Sequence, residues 1–363
     1  MMKKQYSHLV LFLSLCTLTA CNDSKNEDSI DPDPLPPSIT YHVEGYAELG
    51  AFDHNSTLTV FPLDKSLAHI EEQAYGGKVE TDYGLFSASG NMKFQESLYF
   101  EVQVTGNFFN GTKGRRSEHK TTLRAINHVI NHADEERSIN RYIKLPATNV
   151  NIFTQLTAAR ICTLLKKAAG YNEMSHTITD IYRNASEQAL KEVLTAFSIS
   201  DIYVSMLSID PTRASFSQYN APASMMAAVS NILLTSVDEE LLDTFFTEWD
   251  KDFAPDGRID NEDIKESIRD GQQSLKYTNV YKQLDSFYKA YDFKSDFPEF
   301  WKFVDRNGDG ILDKQDKPDD FEITEEELTP SKQQCIQLLE QVNKYLRDFL
   351  QTECVWEANF CGA

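Results

Sequence analysis

"NIFTQLTAARICTLLKKAAG", residues 151–170, is the stretch at which the chain changes its period. It reads as a helix that ends at Gly170. Upstream, polar and apolar residues alternate in short runs: "YHVEGYAEL" (41–49), "STLTVFPL" (56–63), "GKVETD" (77–82), "LFSASG" (85–90), "LYFEVQVTG" (98–106) and "TTLRAI" (121–126). Turn residues separate these runs, so they read as strands. Downstream the pattern is helical in "EMSHTITDIYRNASEQALKEVLTAFSI", "PASMMAAVSNILLTSV", "EELLDTFFTEWDKDF", "NEDIKESIRDG", "LKYTNVYKQLDSFYKAYDF", "FPEFWKFV" and "TPSKQQCIQLLEQVNKYLRDFLQTEC". Strands first and helices afterwards make the chain an α+β, multidomain protein.

Several short strands at this spacing predict an antiparallel β-sandwich, transthyretin- or immunoglobulin-like, over residues 40–127. Residues 128–149 have no clear period and read as a connector. Residues 150–363 read as an all-α domain.

The N-terminus begins "MMKKQYSHLVLFLSLCTLTAC". Lys3 and Lys4 precede a mostly apolar run of about a dozen residues, too short to span a bilayer of about 30 Å. Residues 1–20 therefore read as a signal peptide. "LTAC" at 18–21 resembles the lipobox of bacterial lipoproteins, which implies acylation of Cys21 by diacylglycerol and palmitate-type chains. Two or three acyl chains hold a protein at a membrane where one does so only marginally. Residues 21–39, with "NDSKNEDSIDPDPLPPS", are acidic and Pro-rich and read as an extended tether. Asn22, not Asp, follows the cysteine, which favours the outer membrane over inner-membrane retention. The acidic tether resembles surface-export signals of some bacterial groups, and the side faced, periplasm or cell surface, stays open.

The chain has 363 residues and a net charge of −21, so nucleic acid and anionic lipid surfaces are poor partners. Residues 238–328 hold 27 Asp or Glu against 12 Lys or Arg, so most of the excess lies in the helical region. Besides Cys21, the exported part keeps Cys162, Cys335, Cys354 and Cys361, enough for two disulfides. A bridge is expected among Cys335, Cys354 and Cys361. Cys162 lies in a helical pattern and reads as a buried thiol or a bridge partner.

Within the acidic region, "DRNGDGILDKQD" (305–316) has the spacing of a calcium loop. Hard Ca²⁺ takes six to eight oxygens, and a twelve-residue loop supplies them from positions 1, 3, 5, 7, 9 and 12 with Gly at 6. Here these are Asp305, Asn307, Asp309, the Ile311 carbonyl, Asp313 and Asp316, with Gly310 at the turn and Leu312 pointing inward at position 8. Asp at the end and Pro318 just beyond make the loop resemble a dockerin or thrombospondin variant more than a full EF-hand. "DKDFAPDGRIDNED" offers a weaker second loop through Asp252, Asp256, Asp260 and Asp263, with Gly257 at position 6. Ala254 stands where an oxygen is wanted, so a simple turn with a helix N-cap is the rival reading.

"HVINH" sets His128 and His132 four apart with Glu135 and Glu136 following, a transition-metal spacing only if helical, and otherwise two solvated histidines. "GTKGRRSEHK" (111–120) is the basic cluster, read as a solvated hairpin tip or a contact for an anionic glycan or headgroup. No nucleophile elbow, P-loop, dinucleotide fingerprint or zinc-cysteine array is present in the sequence.

The layout resembles a group of bacterial envelope lipoproteins with a carboxypeptidase-regulatory-like β-domain followed by a helical domain. The resemblance is carried by "ELGAFDHNSTLTVFPLDKSL", "DYGLFSASG", "LYFEVQVTGNFFNGTKG", "TTLRAI", "NVNIFTQLTAARICTLL", "EQALKEVLTAFSI", "APDGRID" and "FWKFVDRNGDGILD". It implies an envelope location and strands followed by helices, but no reaction. The expectation is a non-enzymatic outer-membrane lipoprotein with structural Ca²⁺, anchored in the bilayer through Cys21 and binding a protein or glycan partner. The alternatives are an envelope-anchored hydrolase with its site among the helices, and a calcium-gated adhesion module.

Overall fold

A computed structural model describes residues 40–91, 98–129, 142–173, 178–200, 213–218, 221–293 and 300–318. They contain ten strands and six α-helices. The strands are β1 (Thr40–Glu48), β2 (Thr57–Leu63), β3 (Tyr75–Val79), β4 (Leu85–Asn91), β5 (Tyr99–Gly106), β6 (Phe109–Asn110), β7 (Arg115–Arg116), β8 (Thr121–His128), β9 (Tyr142–Lys144) and β10 (Val150–Asn151). The helices are α1 (Ile152–Lys167), α2 (Ile178–Ala196), α3 (Ala221–Ser236), α4 (Leu242–Phe253), α5 (Glu262–Ser274) and α6 (Tyr277–Lys289). The six strands and the first six helical patterns expected from periodicity are found near their expected places, while the described end of the seventh, "FPEFWKFV", is a 3-10 turn, Phe300–Phe303. The last helical pattern, from Thr329, lies outside the described residues.

Eight strands form one sheet in the order β10-β1-β4-β3-β2-β5-β8, with β9 also on β1, and β6 and β7 form a separate hairpin. The main sheet is mixed. Its pairs are antiparallel except β9 and β10, which run parallel to β1. An all-antiparallel arrangement was expected because residues 142–151 carry too short an alternation to be read as strand. The sheet curls until its edges meet: Asn127 Nδ2 on β8 donates to Thr148 Oγ1, between β9 and β10, at 2.9 Å.

Alternation explains the inner face. On β1, Tyr41, Val43 and Ala47 are buried. On β5 and β8, Phe100, Val102, Val104, Leu123 and Ala125 join them. The same apolar cluster continues through Phe153 and Leu156 of α1 to Val229, Trp249, Ile268 and Tyr288 on the later helices. Buried contacts thus run unbroken from strands to helices across the expected connector. A second cluster forms on the other face of β5 and β8, where Tyr99 and Ile126 pack on Ile161 and Leu165 of α1 and Tyr182 of α2. Helix α1 starts cleanly because Asn151 caps it: its Oδ1 accepts from Thr154 N, while Thr154 Oγ1 accepts from Asn151 N. Among the described residues no helix is long and apolar enough to cross a membrane.

Candidate functional site

The calcium-type loop is anchored at its head by the core. Phe300, Phe303 and Val304 are buried, and they deliver Asp305, itself 3 % exposed, to the start of the loop. Gly308 and Gly310 follow with φ of +74° and +78°. A Cβ at Gly310 would meet nothing within 4 Å, so the need for glycine there is conformational and not spatial. This is the sixth loop position, where a sharp turn is required.

The loop wraps around its own carboxylates. Asp305 accepts from Gly308 N through Oδ1 at 2.8 Å and from Gly310 N through Oδ2 at 2.9 Å. Asn307 Oδ1 accepts from Asp309 N, and Asp309 Oδ1 from Ile311 N. Asp313 Oδ1 accepts from Gln315 N. Asp316, fully buried, closes the ring. Its Oδ1 accepts from Arg306 N and Asn307 N, and its Oδ2 from Asp313 N. Leu312 packs against the core, while Ile311 is 62 % exposed. All six expected positions therefore sit in one closed turn. Among the described residues, however, no three Asp, Glu, His or Cys side chains converge as a metal cluster. The donors are nevertheless of the kind that suits a hard cation. A carboxylate oxygen that accepts one N–H keeps a second acceptor site.

The second acidic loop joins α4 to α5 and has other partners. Asp252 Oδ2 accepts from Asp260 N and Asn261 N, and Asp256 Oδ1 accepts from Arg258 N. Asn261 caps α5 by accepting from Asp263 N, so Asp263 belongs to the first helical turn. Gly257 has φ +79°, and a Cβ there would come within 2.1 Å of Glu192 Oε2. The loop is held from α1. The buried Arg160 guanidinium forks onto Glu192 of α2 at 2.7 and 2.9 Å, and its Nη1 donates to the carbonyls of Ala254 and Pro255. The third-position carbonyl, of Ala254, thus accepts from a guanidinium. Neither Arg160 nor Glu192 stood out in the sequence. Each lies on an ordinary amphipathic helix, 32 residues apart.

The remaining candidates resolve differently. His128 lies in a strand, not a helix, and is buried. Its ring nitrogens face Asn127 Oδ1 and Thr179 Oγ1, each at 3.1 Å, and it stacks on Tyr182. It is therefore not the solvated histidine expected, because α2 covers that part of β8. His132, Glu135 and Glu136 lie outside the described residues. The basic hairpin is tied down by acids. Lys113 pairs with buried Glu239 at 3.1 Å, Arg115 with Glu118, and Arg116 with Asp53 while lying over Phe287. Cys162 is a free, half-buried thiol whose pKa burial pushes up to about 11, which makes it a poor nucleophile. Cys21, Cys335, Cys354 and Cys361 lie outside the described residues.

Two groups of buried charge had no visible sequence signal. Glu48, at the end of β1, is fully buried. Its Oε2 accepts from Phe216 N at 3.0 Å, and its Oε1 makes no hydrogen bond. Burial raises its pKa to about 8, against the opposing pull of Phe216 N and the Ser215 and Tyr288 hydroxyls. The second group lies on the outer face of β5 and β8. Glu101 is held by His69, Gln103 and Arg124, and Arg124 reaches Asp250 of α4 at 2.5 Å. Burial works to raise the Glu101 pKa, but its three partners outweigh it and hold the carboxyl below its usual value. Both Glu48 and Glu101 stand at the polar positions of alternating strands, where solvent was the natural expectation. Compared with known proteins, the chain finds no match: no family model, no curated protein and no solved structure is similar to it.

Proposed function

We propose that this chain is a lipid-anchored bacterial envelope protein whose folded part is a binding or adhesion module clipped by structural calcium. The anchor is Cys21 in the lipobox-like "LTAC", and residues 21–39 tether the folded part to the outer membrane. The folded part is read as a sandwich-type strand module, closed by the curl of its sheet, followed by a helical module. The partner is read as a protein or a glycan. The observation that carries the calcium reading is the loop itself: Gly310 turns at the sixth position while oxygen-bearing side chains stand at positions 1, 3, 5, 9 and 12. Asp305, Asn307, Asp309, the Ile311 carbonyl, Asp313 and Asp316 would hold the ion. Bound there, it would offset half the charge of four carboxylates within one turn and so stabilise the fold.

Two measurements test this. Radiolabelled palmitate should label the wild-type protein and not Cys21→Ala, and the variant should leave the membrane fraction. Unlabelled wild-type protein, or a variant that stays at the membrane, removes the anchor. Calcium at a hundredfold excess over its dissociation constant should stabilise the fold by about 2.7 kcal/mol, seen as a higher Tm that EDTA reverses. Asp309 is exposed and accepts only within the loop, so Asp309→Ala should abolish calcium uptake in calorimetry while sparing the metal-free Tm. No heat of binding and no EDTA effect would leave the loop as a turn.

A further inference from the structure

The outer-face cluster is short of positive charge. Two carboxylates, Glu101 and Asp250, face one guanidinium, Arg124. Its distances are unequal: 2.5 Å to Asp250 and 3.5 Å to Glu101. Asp250 therefore takes the guanidinium, and Glu101, 2 % exposed, is left with a distant one. A buried carboxylate without a close cation is strongly unfavourable. His69 stands where the missing charge is needed. Its Nε2 is 3.1 Å from Glu101 Oε1, and its Nδ1 is 3.5 Å from Glu71 Oε1. The ring stacks flat on Phe61 of β2, with centroids 4.2 Å apart, which fixes its plane toward Glu101.

His69 also occupies a strategic place in the chain. It lies in the segment between β2 and β3, residues 64–74. That segment is otherwise held by its own short-range bonds, such as Asp64 N to the Ala68 carbonyl and Ile70 N to the Pro62 carbonyl, by Tyr171 Oη donating to the Lys65 carbonyl, and by Leu67 packing on the second apolar cluster. The His69–Glu101 contact ties this exposed segment to the middle of β5.

We propose that His69 is an imidazolium in the folded protein and acts as a pH-sensitive latch, bridging Glu71 and Glu101 and locking residues 64–74 onto the sheet until rising pH removes its proton. The groups facing His69 are Glu71 on its own segment, Glu101 and Gln103 on β5, and Arg124 on β8. Beyond Arg124 lie Asp250 of α4 and Cys162 of α1. Arg124 opposes the imidazolium but is already matched by Asp250. The two glutamates outweigh it, consistent with a histidine pKa held above its ordinary value, first by the Glu101 hydrogen bond. The sign follows. A proton bound more tightly in the folded state stabilises it fully below the unfolded histidine pKa, and that stabilisation is lost as pH rises through the folded one. Deprotonation removes the charge from that bond and leaves the Glu101 carboxylate with neutral Gln103 and, as its remaining cation, distant Arg124.

The test uses the full-length protein in detergent, labelled with ¹³C-histidine, titrated from acid to alkaline pH by NMR. The His69 ring should keep its proton to higher pH than free histidine, and Glu101→Gln should lower its midpoint. In parallel, amide exchange across residues 64–74, corrected for intrinsic rates, should quicken roughly tenfold or more above the His69 midpoint. His69→Gln should abolish that pH dependence. A wild-type His69 that titrates at or below free histidine overturns the proposal, and this result needs no variant to fold. Exchange in 64–74 that ignores the His69 midpoint overturns the latch.

Discussion

Between pH 4.5 and pH 8 the folded protein should lose about 4 to 5 kcal/mol of stability through Glu48 alone. The carboxyl has its ordinary pKa of 4.5 when the chain is unfolded and about 8 in the folded state. In that window the folded protein holds a proton that the unfolded chain has released. Stability is therefore full below about pH 4.5, falls by about 1.4 kcal/mol per pH unit, and levels off above pH 8. The cause is placement. Glu48 is fully buried, and the Phe216 N–H with the nearby Ser215 and Tyr288 hydroxyls cannot replace the water lost by a carboxylate. Glu48→Gln keeps the shape and an oxygen for Phe216 N, and carries no charge at any pH. Urea unfolding at pH 5 and pH 8 should show a steep drop for the wild type and a much shallower one for Glu48→Gln. Carboxylates with lowered pKa, such as Glu101 and Glu239, lose their stabilisation only in acid, so they leave this window clear. Equal slopes for wild type and variant would show that Glu48 is not the neutral acid described.

Arg160→Ala should destabilise the fold by about 3 kcal/mol or more. The guanidinium joins three elements at once. It comes from α1, forks onto Glu192 of α2, and donates to Ala254 and Pro255 in the turn between α4 and α5. Removing it leaves Glu192, whose side chain is one-fifth exposed, with neutral Gln188 in place of a cation, takes the guanidinium from the Ala254 carbonyl, and leaves Pro255 only its longer bond from Lys167. Arg160→Lys should recover only part of the loss, because an ammonium cannot make the planar fork and reach both carbonyls together. Arg160→Ala combined with Glu192→Ala should be less destabilising than the sum of the two single changes. A loss under 1 kcal/mol in denaturant unfolding would mean that the turn does not depend on the staple.

Much of this architecture was legible from residue order. Strand periodicity in "STLTVFPL" and "LYFEVQVTG" located β2 and β5 because alternate residues face one core. The helical period that begins at residue 151 located α1, and the structure adds the Asn151–Thr154 cap that starts it. The acidic loop was legible because its twelve residues bond mainly to one another. The buried charges were not legible, because each depends on partners far away in the chain. Glu101 meets Arg124 and, through it, Asp250, which is 126 residues beyond Arg124.

What the sequence determined by itself is therefore local: where strands and helices form, where Gly310 turns the loop, and which residue types could receive an acyl chain or a calcium ion. The tertiary structure decided which polar residues face water. On an alternating strand, Glu48 and Glu101 fall at the polar positions, and nothing nearby in sequence reveals that these positions are covered. Residues 213–218 and α6 close over Glu48, while α1 and α4 close over Glu101. The physical reason is that the free energy of a charge depends on solvation and on partners within a few ångströms. Those neighbours exist only after chain segments more than a hundred residues apart have packed together.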